Sequence, residues 1–118
     1  MYEIYSKNKE TFFAINYDDM IYEMINNDFL LKNRIIEEFE DYVNETYEEV
    51  KIFGLSYSPA LILKQVDKIF YDTVLDDYIC QFYISRIKIE IEQLFDQSSS
   101  NLIEYKLNNE EYIIKRNV

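Results

Sequence analysis

Histidine and tryptophan are absent from this chain, and glycine, proline and cysteine occur once each. Each gap removes a class of chemistry. Without histidine there is no Ser-His-Asp or Cys-His nucleophile system and no imidazole metal ligand. The single cysteine, Cys80, supports neither a disulfide framework nor a thiolate zinc site. A lone thiol inside an apolar helical pattern is expected to be buried and reduced, which fits a cytosolic setting. The single glycine, Gly54, cannot furnish a phosphate-cradling loop or a dinucleotide fingerprint. Gly54-x-Ser56-x-Ser58 lacks the second glycine of a nucleophile elbow. No apolar run reaches the roughly 18 uncharged residues of a membrane span. Met1-Tyr2-Glu3-Ile4-Tyr5-Ser6 has neither the basic region nor the apolar run of a signal peptide.

Positive charge is also scarce. Twelve bases stand against 23 acids, a net charge of −11. Nucleic acids and anionic membranes both require positive potential, so neither is an expected partner. What the chain has in quantity is apolar and aromatic bulk: 48% hydrophobic residues, with twelve Tyr and eight Phe among 118 residues. A single domain of that size buries roughly 65% of the surface its unfolded chain exposes, enough for a real core.

Local signals set the order of elements. Tyr2 and Ile4, then Phe12, Phe13, Ala14 and Ile15, flank the polar stretch Ser6-Lys7-Asn8-Lys9-Glu10 and predict a hairpin. Asp18-Asp19 begins a helix, either aspartate being able to cap it, and Met20, Ile21, Met24 and Ile25 follow at helical spacing. Asp28 is placed to cap a second helix from about Phe29 to Tyr47, with an apolar stripe of Ile35 or Ile36, Phe39, Tyr42, Val43 and Tyr47. Val50-Lys51-Ile52-Phe53 reads as a short strand or an extended link, and Gly54 permits a positive φ. Ser58-Pro59 puts serine at a cap and proline at the first helical position, so a short helix runs to about Val66. Asp67 caps the next.

From Lys68 to about Phe95 neither glycine nor proline occurs. Phe70, Val74, Leu75, Tyr78, Ile79, Phe82, Tyr83, Ile87, Ile91 and Leu94 form a wide apolar band, the pattern of a central buried helix. Ile87 to Glu92 alternates with period two, a strand pattern, but its unbroken helical context assigns it to the helix. Asp96 to Asn101 is a loop. Leu102–Leu107 and Glu110–Lys115, joined by Asn108-Asn109, predict a second hairpin with a two-residue turn. The expected fold is α+β: one helix-rich domain of three to four helices, the long central one at about 68–95, with a small antiparallel sheet from the N- and C-terminal hairpins.

Carboxylates are the one abundant reactive group. Pairs such as Asp18-Asp19 and Asp76-Asp77 could in principle serve acid–base hydrolysis or hold Mg²⁺ or Ca²⁺. With 23 acids in the chain, adjacent pairs arise by chance, and each pair here also has a capping or solvated-face explanation. No acid–base constellation can be assembled from named residues, so no catalytic residue, metal or cofactor is expected. The second helix is different. Glu37, Asp41, Glu45 and Glu48 fall at i, i+4, i+8 and i+11 along one ridge, with Glu38 and Glu49 beside it. Neighbours four apart stand about 6 Å apart along the axis. Such a row can be a solvated helix face or can take the place of backbone phosphates in a basic groove. The twelve tyrosines cannot all be fully buried, and Tyr is enriched both at the core's water boundary and at interface hot spots.

Phe53-Gly54-Leu55-Ser56-Tyr57-Ser58-Pro59, then Leu63-Lys64, Asp67, Tyr71 and Asp76-Asp77-Tyr78, resemble a segment of small uncharacterised phage and prophage proteins. Lys68 stands where proline often follows the aspartate. The resemblance covers residues 53–78, about 25 positions, mostly packing and capping ones, and carries over no functional residue. It implies a phage context of the anti-CRISPR, anti-defence kind. The expectation is therefore a non-enzymatic inhibitor acting in the host cytoplasm. Its partner would be a basic nucleic-acid-binding protein, a CRISPR effector or other nuclease, met through the acidic ridge. An immunity protein against a nuclease toxin has the same electrostatics. A homo-oligomeric phage structural or regulatory protein, with a homodimer interface of Tyr and Ile, is the third alternative.

Overall fold

In the computed structural model residues 1–6 and 11–117 are described. The elements in chain order are β1 (Tyr2–Ser6), β2 (Phe12–Ala14), α1 (Tyr17–Asn26), α2 (Phe29–Thr46), β3 (Val50–Ile52), β4 (Leu55–Tyr57), α3 (Pro59–Val66) and α4 (Lys68–Ile79). A π-helical turn (Cys80–Ile84), α5 (Ser85–Ser98), β5 (Leu102–Leu107) and β6 (Glu110–Arg116) follow. This is the expected α+β fold. The N-terminal turn expected over Ser6 to Glu10 lies, beyond Ser6, outside the described residues.

The two termini build one antiparallel sheet of order β2-β1-β6-β5. Alternation dictates which face turns inward. Ile4, Ala14, Ile103, Tyr105, Leu107, Tyr112 and Ile114 are buried, and the residues between them face outward. Register follows from that pattern: Ile4 stands opposite Ile114, and Tyr105 opposite Tyr112. Asn108 supplies the positive φ (56°) of the two-residue β5–β6 turn. α1 and α5 cover the inner face.

Helix starts are set by side-chain caps. The Asp28 carboxylate accepts from the Leu31 N–H, Ser58 Oγ from Leu61 and Asp67 from Phe70, all as expected. α1 departs from expectation: its cap is Asn16, whose Oδ1 accepts from the Asp19 N–H at 2.8 Å. Asp18 and Asp19 fall inside the first turn instead, where the helix dipole favours them.

α4, the π turn and α5 form one continuous rod about 46 Å long. Tyr71, Leu75, Ile79, Tyr83, Ile87, Ile91 and Phe95 are all buried, one every fourth residue. On a 3.6-residue helix such a row drifts by about 40° per repeat. The extra residue of the π turn takes back about 100° of that drift and keeps both halves facing the core. Ile87 to Glu92 is helical, and α5 runs through Ser98, past the expected loop start; Ser99, at φ 54°, ends it. The π turn also exposes Cys80, so the expectation of a buried thiol fails. Phe70 and Phe82 of the apolar band point outward as well, while Tyr71, Ile84 and Phe95 are buried.

A second, two-stranded sheet, β3–β4, had only half a signature in the sequence. Ile52 pairs with Leu55, leaving Phe53 and Gly54 as a two-residue turn with φ of 50° and 77°. Two successive positive φ values mark a type I′ hairpin turn. The molecule is elongated, 62 × 25 × 23 Å, with a radius of gyration of 17.7 Å against about 13–14 Å for a compact chain of this length. The sheet, α1 and α5 form one end; α2, α3, α4 and the β3–β4 hairpin form the other.

Candidate functional site

The acidic residues singled out in the sequence are all exposed: Glu37, Glu38, Asp41, Glu45, Glu48 and Glu49. They do not form one ridge. α2 ends at Thr46, and Tyr47 is already extended (φ −115°, ψ 149°). Glu48 and Glu49 therefore lie in the link to β3, off the helical spacing. The helical row is Glu37, Asp41 and Glu45. No cation lies within ion-pair reach of these three among the described residues. The last turn of α2 holds no base, so Glu45 faces the negative end of the helix dipole. Glu38 belongs to a different set: the Tyr83 hydroxyl of the π turn donates to its carboxylate.

That contact is one of a series. Tyr5 donates to Glu3 at 2.5 Å, Tyr22 to Asp76 at 2.8 Å, Tyr71 to Glu40 at 2.6 Å and Tyr105 to Glu90 at 2.5 Å. In a chain with few bases, phenols take the role of carboxylate partners. Burial first, then the bonded carboxylate, pushes the Tyr71 and Tyr105 phenols well above their ordinary range. They remain neutral donors at any ordinary pH. The Tyr5 hydrogen bond, followed by one from Asn117, lowers the Glu3 carboxyl.

Beside the acidic face lies a groove of about 500 Å³ between α2, α3 and α4. Its floor is an aromatic cluster. The Tyr78 ring lies 4.7 Å from Phe82, 5.5 Å from Phe39 and 5.9 Å from Tyr42, and Phe39 meets Tyr71 edge-on at 5.5 Å. Its walls include Tyr47, Leu63, Phe70 and Val74. Phe70 and Phe82 keep 53% and 46% of their surface exposed, and Tyr42 and Tyr47 are exposed too. α3 is fixed against α2 by Asn44, whose Oδ1 accepts from the Ala60 N–H at 3.0 Å. The sequence held a signal for this groove, an apolar band on the long helix too wide for one core-facing stripe. Tyr42 and Tyr47 read there as core positions, and the π turn that swings Phe82 outward has no local sequence mark.

Comparison with protein-family models, with curated proteins and with solved structures finds no match. The geometry alone therefore frames the function. Of the paired aspartates, Asp18 has Lys88 at 3.9 Å and Asp76 accepts from the Tyr22 hydroxyl. Among the described residues no cluster of three or more His, Cys, Asp or Glu side chains is arranged to hold a metal ion. No helix among them is long and apolar enough to cross a membrane. Cys80 is reachable, but partial burial of its sulfur, then the charges of Asp18, Asp76 and Asp77, raise its thiol above the ordinary range. That is the wrong direction for a nucleophile.

Proposed function

We propose that this chain is a non-enzymatic inhibitor that binds a basic, nucleic-acid-binding protein of a defence system through the acidic face of α2. The single observation that carries the reading is the row Glu37, Asp41 and Glu45, exposed and without cationic partners among the described residues. At about 6 Å intervals these carboxylates offer a basic channel a regular row of negative charge in place of phosphates. Arginines that read or hold nucleic acid would donate to the carboxylates bidentately. The likeness of residues 53–78 to phage and prophage proteins makes a CRISPR effector or another nuclease the first partner class to test, in the host cytoplasm. Long-range attraction of opposite charges would speed association and make it salt-dependent. The experiment is retention of host proteins on the immobilised chain at low and high salt. A nucleic-acid-binding enzyme retained at low salt and released at high salt supports the reading. Retention that ignores salt, or of no such protein, counts against it.

A further inference from the structure

The acidic row accounts for one side of α2; the aromatic groove on its other side is left unexplained by it. Three helices bound that groove, and one side of the arrangement is open, with Tyr42, Phe70 and Phe82 uncovered. Adding one helix there would complete a four-helix packing unit of the ordinary kind. Its length is set by the walls. The run from Phe39 to the end of α2 at Thr46 spans about 10 Å, with Tyr47 just beyond it, and that from Phe70 to Phe82 about 18 Å, room for two to three helical turns. Among the described residues no Lys or Arg lines the groove, Asp77 does, and Glu38 and Glu45 flank Tyr42 at i−4 and i+3 on α2. A second copy of this chain would bring the same acidic edges and its own net charge of −11 against them.

We infer that the groove between α2 and α4 is the seat of a basic amphipathic helix of the partner protein. Apolar side chains of that helix at i, i+3, i+4 and i+7 lie on Tyr42, Tyr78, Phe70 and Phe82, and its flanking Lys and Arg meet Glu45 and Asp77. The π turn takes part in this: the residue it inserts lets Phe82 enter the groove wall while Tyr83 and Ile84 stay in the core. The inference rests on the reading of the partner as a basic protein and adds which element of it is held.

The test uses a fluorescent synthetic helical peptide with Leu and Phe at i, i+3, i+4 and i+7 and Lys and Arg at the flanking positions, followed by anisotropy. A control peptide keeps the apolar residues and carries Glu at the flanks. The basic peptide is expected to bind and the acidic one not. Phe70→Ser with Phe82→Ser, both at exposed positions, should weaken binding by more than about tenfold with the helical circular dichroism unchanged. Glu45→Gln with Asp77→Asn should weaken it several-fold and flatten its salt dependence. Undiminished binding by the Phe70/Phe82 variant overturns the inference, as does equal binding of the two peptides. Light scattering that shows a dimer dissolved by the same two serines also overturns it, since a second copy then fills the groove. If the peptide behaves as expected but no basic protein is captured from the host, the groove assignment stands and the proposed function falls. If capture holds while the peptide ignores the groove, only this inference falls.

Discussion

Tyr112 and Tyr105 face each other across β5 and β6, and their hydroxyls have opposite fates. The Tyr105 hydroxyl donates to Glu90 at 2.5 Å. Among the described residues the buried Tyr112 hydroxyl has no hydrogen-bond partner, and neither has Oδ2 of Asp28. A buried unpaired hydroxyl contributes nothing to set against its desolvation, whereas a bonded one contributes about 1 kcal/mol. Tyr105→Phe is therefore expected to lower stability by about 1 kcal/mol in urea unfolding, while Tyr112→Phe leaves it unchanged or raises it. Alkaline pH gives a second reading. Burial raises both the Tyr112 and the Tyr17 phenols to about 12. An unfolded tyrosine ionises near pH 10 (about). Between those values the unfolded chain gives up protons that the folded chain keeps. The stability held by the neutral phenols is thus fully present below about pH 10 and is lost as pH rises through about 12. Urea midpoints should stay flat from neutral pH toward that threshold and fall beyond it, less steeply in Tyr112→Phe. An equal alkaline fall in that variant would remove Tyr112 from the account.

In α2 the acidic row works against the helix that carries it. Glu37 with Asp41, and Asp41 with Glu45, are like charges four residues apart, each pair costing about 0.2–0.5 kcal/mol. Glu45 adds an unfavourable dipole interaction in the last turn of about 0.3–1 kcal/mol. Replacing all three by their amides is expected to raise stability by about 1 kcal/mol while weakening partner binding. A fall in the urea midpoint would show that these carboxylates have favourable contacts in the free protein. The π turn of the long helix can be tested in the same way. Deleting the exposed Gln81 returns the segment to plain α-helix with its two halves still in phase, since seven residues at about 100° each leave Ile79 and Ile87 within about 20° of one another. Cooperative unfolding should therefore survive the deletion, and Gln81→Ala should be neutral within about 0.5 kcal/mol; loss of cooperative unfolding on deletion would contradict this reading of the turn. The elements themselves were legible because caps and breakers are local: Asp28, Ser58-Pro59, Asp67 and Asn108-Asn109 act where they stand. The π turn, the exposure of Cys80 and Phe82, and strand β4 were not, because each depends on what packs against the segment. Glu48 misled for a related reason. Helical spacing continues past Thr46 in the sequence, but the backbone turns extended at Tyr47.

The whole molecule is a rod with its two ends doing different work. The sheet end is held by termini paired along β1 and β6, and the far end presents the α2 row, the groove and the β3–β4 tip. A fully exposed Phe53 stands at that tip at φ 50°, next to Gly54 at 77°. The chain is elongated and carries a net charge of −11, which favours attraction to basic surfaces. The central claim is that the α2 carboxylates occupy the place of phosphates on a nucleic-acid-binding protein. Its most direct measurement is competition: host protein captured on the immobilised chain is challenged with a DNA or RNA oligonucleotide at constant salt. The account predicts that the oligonucleotide releases the captured protein, and that the chain carrying Glu37→Gln, Asp41→Asn and Glu45→Gln captures little of it. Protein that stays bound in excess oligonucleotide, or is captured equally by the neutralised chain, would contradict it.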